Sequence, residues 1–366
     1  MFYKCLSAFI LVIGFTSCSL INTARYLSPD ISDNKKFPAN SIEGSPIPYN
    51  FSSNGKNAVL DSRELKGGNR SSFEDYLKSL NTVAFIIIRN DSIIYENYFY
   101  GYDKDTQIPS FSVAKAFTSS LIGLAIEDGY IKSVDEPITN YLPEMKKNGF
   151  EQVTIKHLLQ MTSGIKFREN GVNPFHEDAK FYYGTNLRQK SLNLKLEREP
   201  GSKFKYASGN TQLLALILER SLQGKTVTAY LQEKIWHPLG MESEASWSTD
   251  KKRQGMEKAF CCLNATARDF AKFGSLYLHH GQWNGKQIIP ENWVKESTMA
   301  DTTEGGANYY KYQWWLSSTS SDYLAEGIIN QYIYINPEKN LVFVKLSKGY
   351  GVWNKWTFFG DLVKQL

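Results

Sequence analysis

The sequence predicts an α+β fold, an antiparallel sheet flanked by helices with an all-α lobe inserted into it. Three observations lead there. Runs rich in β-branched and aromatic residues lie at 83–98 and again at 331–347, near the two ends of the chain. Between about 135 and 255 the pattern reads as helices and loops, with little that alternates as a strand. The length, 366 residues, allows more than one lobe and a core that needs no staples. Strands that must meet across a helical insertion make a discontinuous lobe, about 71–134 plus 256–366, around a helical lobe of about 135–255.

The elements follow in order. Lys4 precedes an apolar run from Leu6 to Phe15, the length of a secretion signal and short of the ~20 residues that span a bilayer. That run ends in Phe15-Thr16-Ser17-Cys18, which resembles a bacterial lipobox. Residues 1–17 are therefore expected to be a lipoprotein signal peptide and Cys18 the lipidated first residue. Such a chain is exported and held to a bacterial membrane by acyl chains alone, facing the periplasm. Residues 18–70, rich in Ser, Asn, Pro, Lys and Gly, read as a tether and an extended lead-in. An N-capped helix is expected over 72–80, then two strands, 83–89 and 92–98, around the turn Asn90-Asp91. Val113, Phe117, Leu121, Leu124 and Ala125 fall at helical spacing up to Gly129, a suitable residue just past a helix end. Helices are expected over 154–161, over 212–222 and from 265 to 279. A second hairpin, 331–335 with 341–347, turns at Pro337-Glu338-Lys339-Asn340, and a helix over 356–366 closes the chain.

Composition narrows the function. Forty-two Lys and Arg against 37 Asp and Glu leave a net charge of +5, with basic residues scattered among acids, so no nucleic-acid partner is expected. The chain has no P-loop, H-E-x-x-H, C-x-x-C or G-x-S-x-G, and its five histidines show no metal-ligand spacing. No metal and no organic cofactor are expected. The adjacent pair Cys261-Cys262 reads as two small core residues, because a ring closed between neighbours strains the peptide joining them.

The chemistry that remains is nucleophilic. Ser112-Val113-Ala114-Lys115 is a Ser-x-x-Lys sequence, in which residues three apart on a helix share a face and a Lys amine can take the Ser proton once its pKa is depressed. Six such matches occur, beginning at Ser32, Ser53, Ser112, Ser163, Ser202 and Ser248, so spacing alone selects none. Only Ser112 opens a strongly apolar helix, where unpaired N–H groups would favour an oxyanion; Ser163 and Ser202 sit beside Gly in what read as polar loops. The competing reading of Ser112 is an ordinary helix cap with Lys115 in solvent.

Further segments decide between them. Leu158-Leu159-Gln160-Met161-Thr162-Ser163-Gly164, then Pro200-Gly201-Ser202-Lys203-Phe204-Lys205-Tyr206-Ala207-Ser208-Gly209-Asn210, then Pro238-Leu239-Gly240-Met241 and Thr266-Ala267-Arg268-Asp269-Phe270-Ala271-Lys272-Phe273-Gly274 follow Ser112 in one order. With the terminal hairpin, this series over roughly 75–350 resembles the serine β-lactamase-related family. That family includes class C β-lactamases, DD-peptidases, esterases and 6-aminohexanoate-dimer hydrolase. The resemblance implies a serine β-lactamase/penicillin-binding-protein-like fold and an acyl-enzyme at Ser112. It implies Lys115 and Tyr206 as the proton carriers, with the acylation base undecided between them. It implies an oxyanion hole from the backbone N–H groups of Ser112 and Ile328, and substrate contacts from Ser208, Asn210 and Gly327. Lactamases and peptidases open one strand with Lys-Thr-Gly or His-x-Gly, whose cation helps bind a substrate carboxylate. Here the stretch is Ala325-Glu326-Gly327-Ile328-Ile329-Asn330-Gln331, which resembles aminohexanoate-dimer hydrolase and its relatives in its Gly-Ile and following Gln. The expected substrate is accordingly a small molecule or short linear amide or ester. Alternatives are β-lactam or peptidoglycan chemistry and a catalytically silent binding lipoprotein. The oligomeric state is not legible.

Overall fold

A computed structural model of the chain describes residues 28–366, except 54, 69–70, 170–175 and 353. Cys18 and the signal segment lie outside the described residues. Fourteen strands are described: β1 (Ala39–Ile42), β2 (Ser52–Ser53), β3 (Thr82–Arg89), β4 (Ser92–Tyr98), β5 (Ile108–Pro109), β6 (Ala245–Ser248), β7 (Leu263–Ala265), β8 (Gln282–Trp283), β9 (Lys286–Gln287), β10 (Tyr310–Lys311), β11 (Trp314–Leu316), β12 (Tyr323–Gly327), β13 (Gln331–Asn336) and β14 (Leu341–Ser347). Eight form the main sheet in the order β10-β11-β12-β13-β14-β3-β4-β2, antiparallel except where β2 runs parallel to β4. The hairpins from the two ends of the chain meet at β14 and β3, where Val344 stands opposite Ile86.

β3 does not alternate apolar with polar because both of its faces are covered. Phe85 and Ile87 pack with Phe73, Leu77, Phe358 and Phe359 from the helices Phe73–Ser79 and Lys355–Gln365. Ile86 and Ile88 belong to the larger core on the other side, with Phe270 and Phe273 of the Ala267–Leu278 helix. Each of these helices has the start its sequence announces: the Ser72, Asn354 and Thr266 side chains accept from the third helical N–H. The fold is α+β, with helices flanking the sheet. Among the described residues no helix is long and apolar enough to cross a membrane.

Two expectations are corrected. The stretch read as helical contains β6, which pairs with β1 of the lead-in and with β7, and β5 completes this second, four-stranded sheet. Strands of two to four residues are too short to show alternation in sequence. Cys261 and Cys262 are joined by a disulfide rather than lying as free thiols. The peptide joining them is no ordinary extended link: Cys262 has φ of 73°, and this turn is fixed by Cys261 N–H donating to Lys258 O and Ser248 N–H donating to Cys262 O.

Candidate active site

β5 delivers the chain to the site. Its pairing with β7 continues as Ser110 N–H donates to Leu263 O, and Phe111, buried, then takes a φ of 47°. A bulky residue in the left-handed region costs on the order of 1–3 kcal/mol, and such strain persists only where packing enforces it. The bend starts a tight turn, Phe111–Val113, that runs into the helix Ala114–Glu127 and leaves Ser112 half-buried at the cavity wall.

Lys115 is 1% exposed, because that helix is covered on every side from Ala114 to Ala125. The solvated-lysine reading is thereby excluded. Its Nζ lies 2.9 Å from Ser112 Oγ and 2.7 Å from Phe260 O, and stands 5.0 Å from the centre of the Tyr206 ring. Burial pushes the amine down to about 8, opposed by the negative charge of Glu169. Tyr206 precedes the helix Ser208–Ser221 and stacks on Trp315 at 5.6 Å. Burial, then Glu169, raises its phenol above the ordinary value, while a hydrogen bond with Ser112 acts in the other direction. The two shifts run in opposite directions. Near neutral pH the amine loses its proton far more readily than the phenol, so Lys115 is the group able to accept and Tyr206 the group able to donate.

The other expected residues divide. Ser208 lines the cavity, whereas Asn210 is buried beneath it, bonded to Ser163 Oγ and donating to Met161 Sδ at 3.2 Å. Asn210 is therefore a structural residue, and Ser163, placed by sequence in a polar loop, is a buried partner to it. Gly327 ends β12 against the turn Phe111–Val113: a Cβ there would lie 2.4 Å from Ser110 O. Ile328 follows at the cavity mouth, 41% exposed. Ala325 is buried, and Glu326 pairs with Lys355, whose amine lies 4.3 Å from the Trp315 ring centre. The strand thus has a buried methyl group at the position of the lactamase cation and, beside it, a carboxylate paired with Lys355.

Sequence reasoning missed Glu169. Its residue is open to solvent on one side, but the carboxylate turns inward, accepts from the Ser208 N–H and is raised by desolvation. No motif marks it, since Arg168-Glu169 reads as ordinary loop. Two cavities meet at Ser112, Glu169, Tyr206, Ile328 and Tyr350. The larger, about 600 Å³, continues past Asp178, Tyr182, Tyr183 and Phe260. The smaller, about 260 Å³, continues past Trp315, Glu326 and Asn330.

Residues 70–352 match the model of the family described as Beta-lactamase. The 6-aminohexanoate-dimer hydrolase of Paenarthrobacter ureafaciens is 26% identical over 300 residues, which cover 75% of this chain and 74% of the relative. A solved Bacillus anthracis structure, provisionally assigned as a 6-aminohexanoate-dimer hydrolase, superposes with a TM-score of 0.76 at 26% identity, covering 90% of this chain and 89% of the other. A family VIII carboxylesterase shares the fold at a TM-score of 0.63 and 14% identity, over 84% of this chain and 99% of the other.

Proposed function

The chain belongs to the Beta-lactamase family and is a serine hydrolase of that type, and from this premise we propose that it cleaves linear amides or esters through an acyl-enzyme on Ser112. The observation that carries the reading is the buried Lys115 amine, depressed to about 8 and 2.9 Å from Ser112 Oγ. The neutral amine takes the hydroxyl proton as Oγ attacks the carbonyl carbon. The N–H groups of Ser112 and Ile328 hold the oxyanion, which needs backbone donors and no particular side chain. Collapse expels an amine or alcohol that takes a proton from the Tyr206 phenol, and Lys115 returns its proton to the phenolate. Water then attacks the acyl-enzyme carbonyl and gives a proton to Lys115, and as the acid is released Lys115 returns that proton to Ser112 Oγ.

An amide or ester without a carboxylate close to the scissile bond fits better than a penicillin. Glu169, Asp178 and Glu326 line the cavities, and the nearby cation Lys355 is already paired with Glu326. A carboxylate facing that lining would lose the ~1.5–3 kcal/mol of a charged hydrogen bond, roughly ten- to a hundredfold in affinity. The test compares kcat/KM for p-nitrophenyl butyrate, a linear aminohexanoate amide and a chromogenic cephalosporin on one preparation, with Ser112→Ala as blank. We expect the ester and the amide to be turned over only by the protein with Ser112, and faster than the cephalosporin. Faster cephalosporin hydrolysis would move β-lactam chemistry to the front. Equal turnover by Ser112→Ala would leave a binding protein.

A further inference from the structure

The lead-in contributes to the substrate cavity. Ser28 and Pro29 stand in the wall of the larger cavity, together with Tyr182 and Tyr183. They precede the stretch of chain that matches the family.

The segment is fastened from Asp30 onward. Asp33 is 2% exposed and accepts a hydrogen bond from the Tyr182 hydroxyl. The Lys36 amine pairs with Asp33 at 2.6 Å and Asp30 at 2.5 Å. Phe37 meets Tyr182 edge-on at 5.3 Å and also contacts Tyr183, with the Lys258 amine 4.7 Å from its ring centre. Pro38 O accepts from Thr249 N–H, after which β1 pairs along β6. A buried carboxylate held by a tyrosine and a lysine is a built contact, because an unpaired one would not stay buried. Tyr182 does two things at once: its hydroxyl holds the lead-in, and its ring forms the cavity wall.

In acyl transfer the nucleophile lies between the acyl group and the leaving group, so two cavities meeting at Ser112 take the two halves of the substrate. The outer limit of the larger half is then set where Ser28 and Pro29 close the wall. We propose that residues 28–37 are a size-selecting wall for the longer arm of a linear substrate, latched by Asp33 onto Tyr182. The proposal rests on the hydrolase reading and adds that an N-terminal segment decides which chain lengths fit.

Ser28 is exposed, so Ser28→Trp adds an indole to the wall without disturbing the core. The measurement is kcat/KM for p-nitrophenyl octanoate, which lengthens the acyl side, and for octyl acetate, which lengthens the leaving side, each relative to p-nitrophenyl acetate. We expect Ser28→Trp to lower one of the two ratios at least tenfold, through KM. Asp33→Ala and Tyr182→Phe, which undo the latch and free the wall to retreat, should raise the same ratio three- to tenfold at unchanged circular dichroism. Wild-type ratios on both long esters in Ser28→Trp would overturn the proposal and leave the hydrolase reading standing. If neither ester nor linear amide is cleaved at Ser112, that reading falls alone. N-octyl acetamide and N-ethyl octanamide binding to Ser112→Ala, by calorimetry, then carries the same comparison. A tenfold weaker affinity for either amide with Ser28→Trp supports the wall, and equal affinities for both overturn it.

Discussion

Lys115 holds its amine in the core, bonded to a serine hydroxyl and a carbonyl, and this sets how the site should respond to pH. The unfolded lysine titrates near 10.5 and the folded one at about 8, so the neutral, proton-accepting form becomes abundant as pH rises through 8. We expect kcat/KM for an ester to climb from pH 6 and level off above about 8. Glu169 holds the ammonium up, so Glu169→Gln should move that inflection to lower pH. A flat profile, or an inflection that moves upward in Glu169→Gln, would exclude Lys115 as the base. That Ser112, Lys115 and Tyr206 lie together was legible because a motif in fixed order carries them. Asn210 was misplaced for a geometric reason: successive helical residues turn by about 100°, so Asn210 points about 200° away from Ser208, which reaches the cavity. Glu169 was illegible because its role comes from how a loop folds back onto Ser208, and no local spacing encodes that.

The position of Ser112 depends on how closely β12 passes the turn Phe111–Val113. Gly327 permits that approach, since any Cβ would press on Ser110 O at 2.4 Å and on the Phe111 side chain. Gly327→Val should therefore lower stability by about 1–3 kcal/mol, as overpacking does, and reduce kcat/KM by displacing Ile328 relative to Ser112. Gly360→Ala is the matched control, because a Cβ there meets nothing within 4 Å on the Lys355–Gln365 helix and Ala gains about 0.5–1 kcal/mol over Gly. Thermal melts and ester kinetics of both variants read the difference. An unaltered Gly327→Val would mean that the strand end has room to spare. Periodicity and caps made the helices and long strands legible in the sequence. β1, β5, β6 and β7 were not, because their existence depends on partners up to some 200 residues away rather than on their own short pattern.

Among the described residues three lysines, 115, 258 and 345, are buried with their amines pushed down, the last two to about 7. Lys345 donates to Leu80 O and Ser347 Oγ. Below pH 7 it is charged in both folded and unfolded chains and its burial penalty is fully present. Between pH 7 and 10.5 the unfolded chain binds more protons, so stability rises with pH by up to roughly 1 kcal/mol per pH unit for each such group. The stability difference between Lys345→Met and wild type should therefore shift toward wild type between pH 6 and pH 9.5. A difference in urea unfolding that is the same at both pH values would show that Lys345 titrates normally. The α+β class was legible because hairpins stand at both ends of the sequence, and their meeting at β14 and β3 has a cost in time. Once the ribosome has made β3, some 250 residues separate it from β14, about 12–50 s of synthesis at ~5–20 residues per second. Throughout that interval the most apolar strand of the nascent chain has an open edge. The young polypeptide therefore completes its sheet, and with it the strand end beside Ser112, only after its last fifth has been delivered.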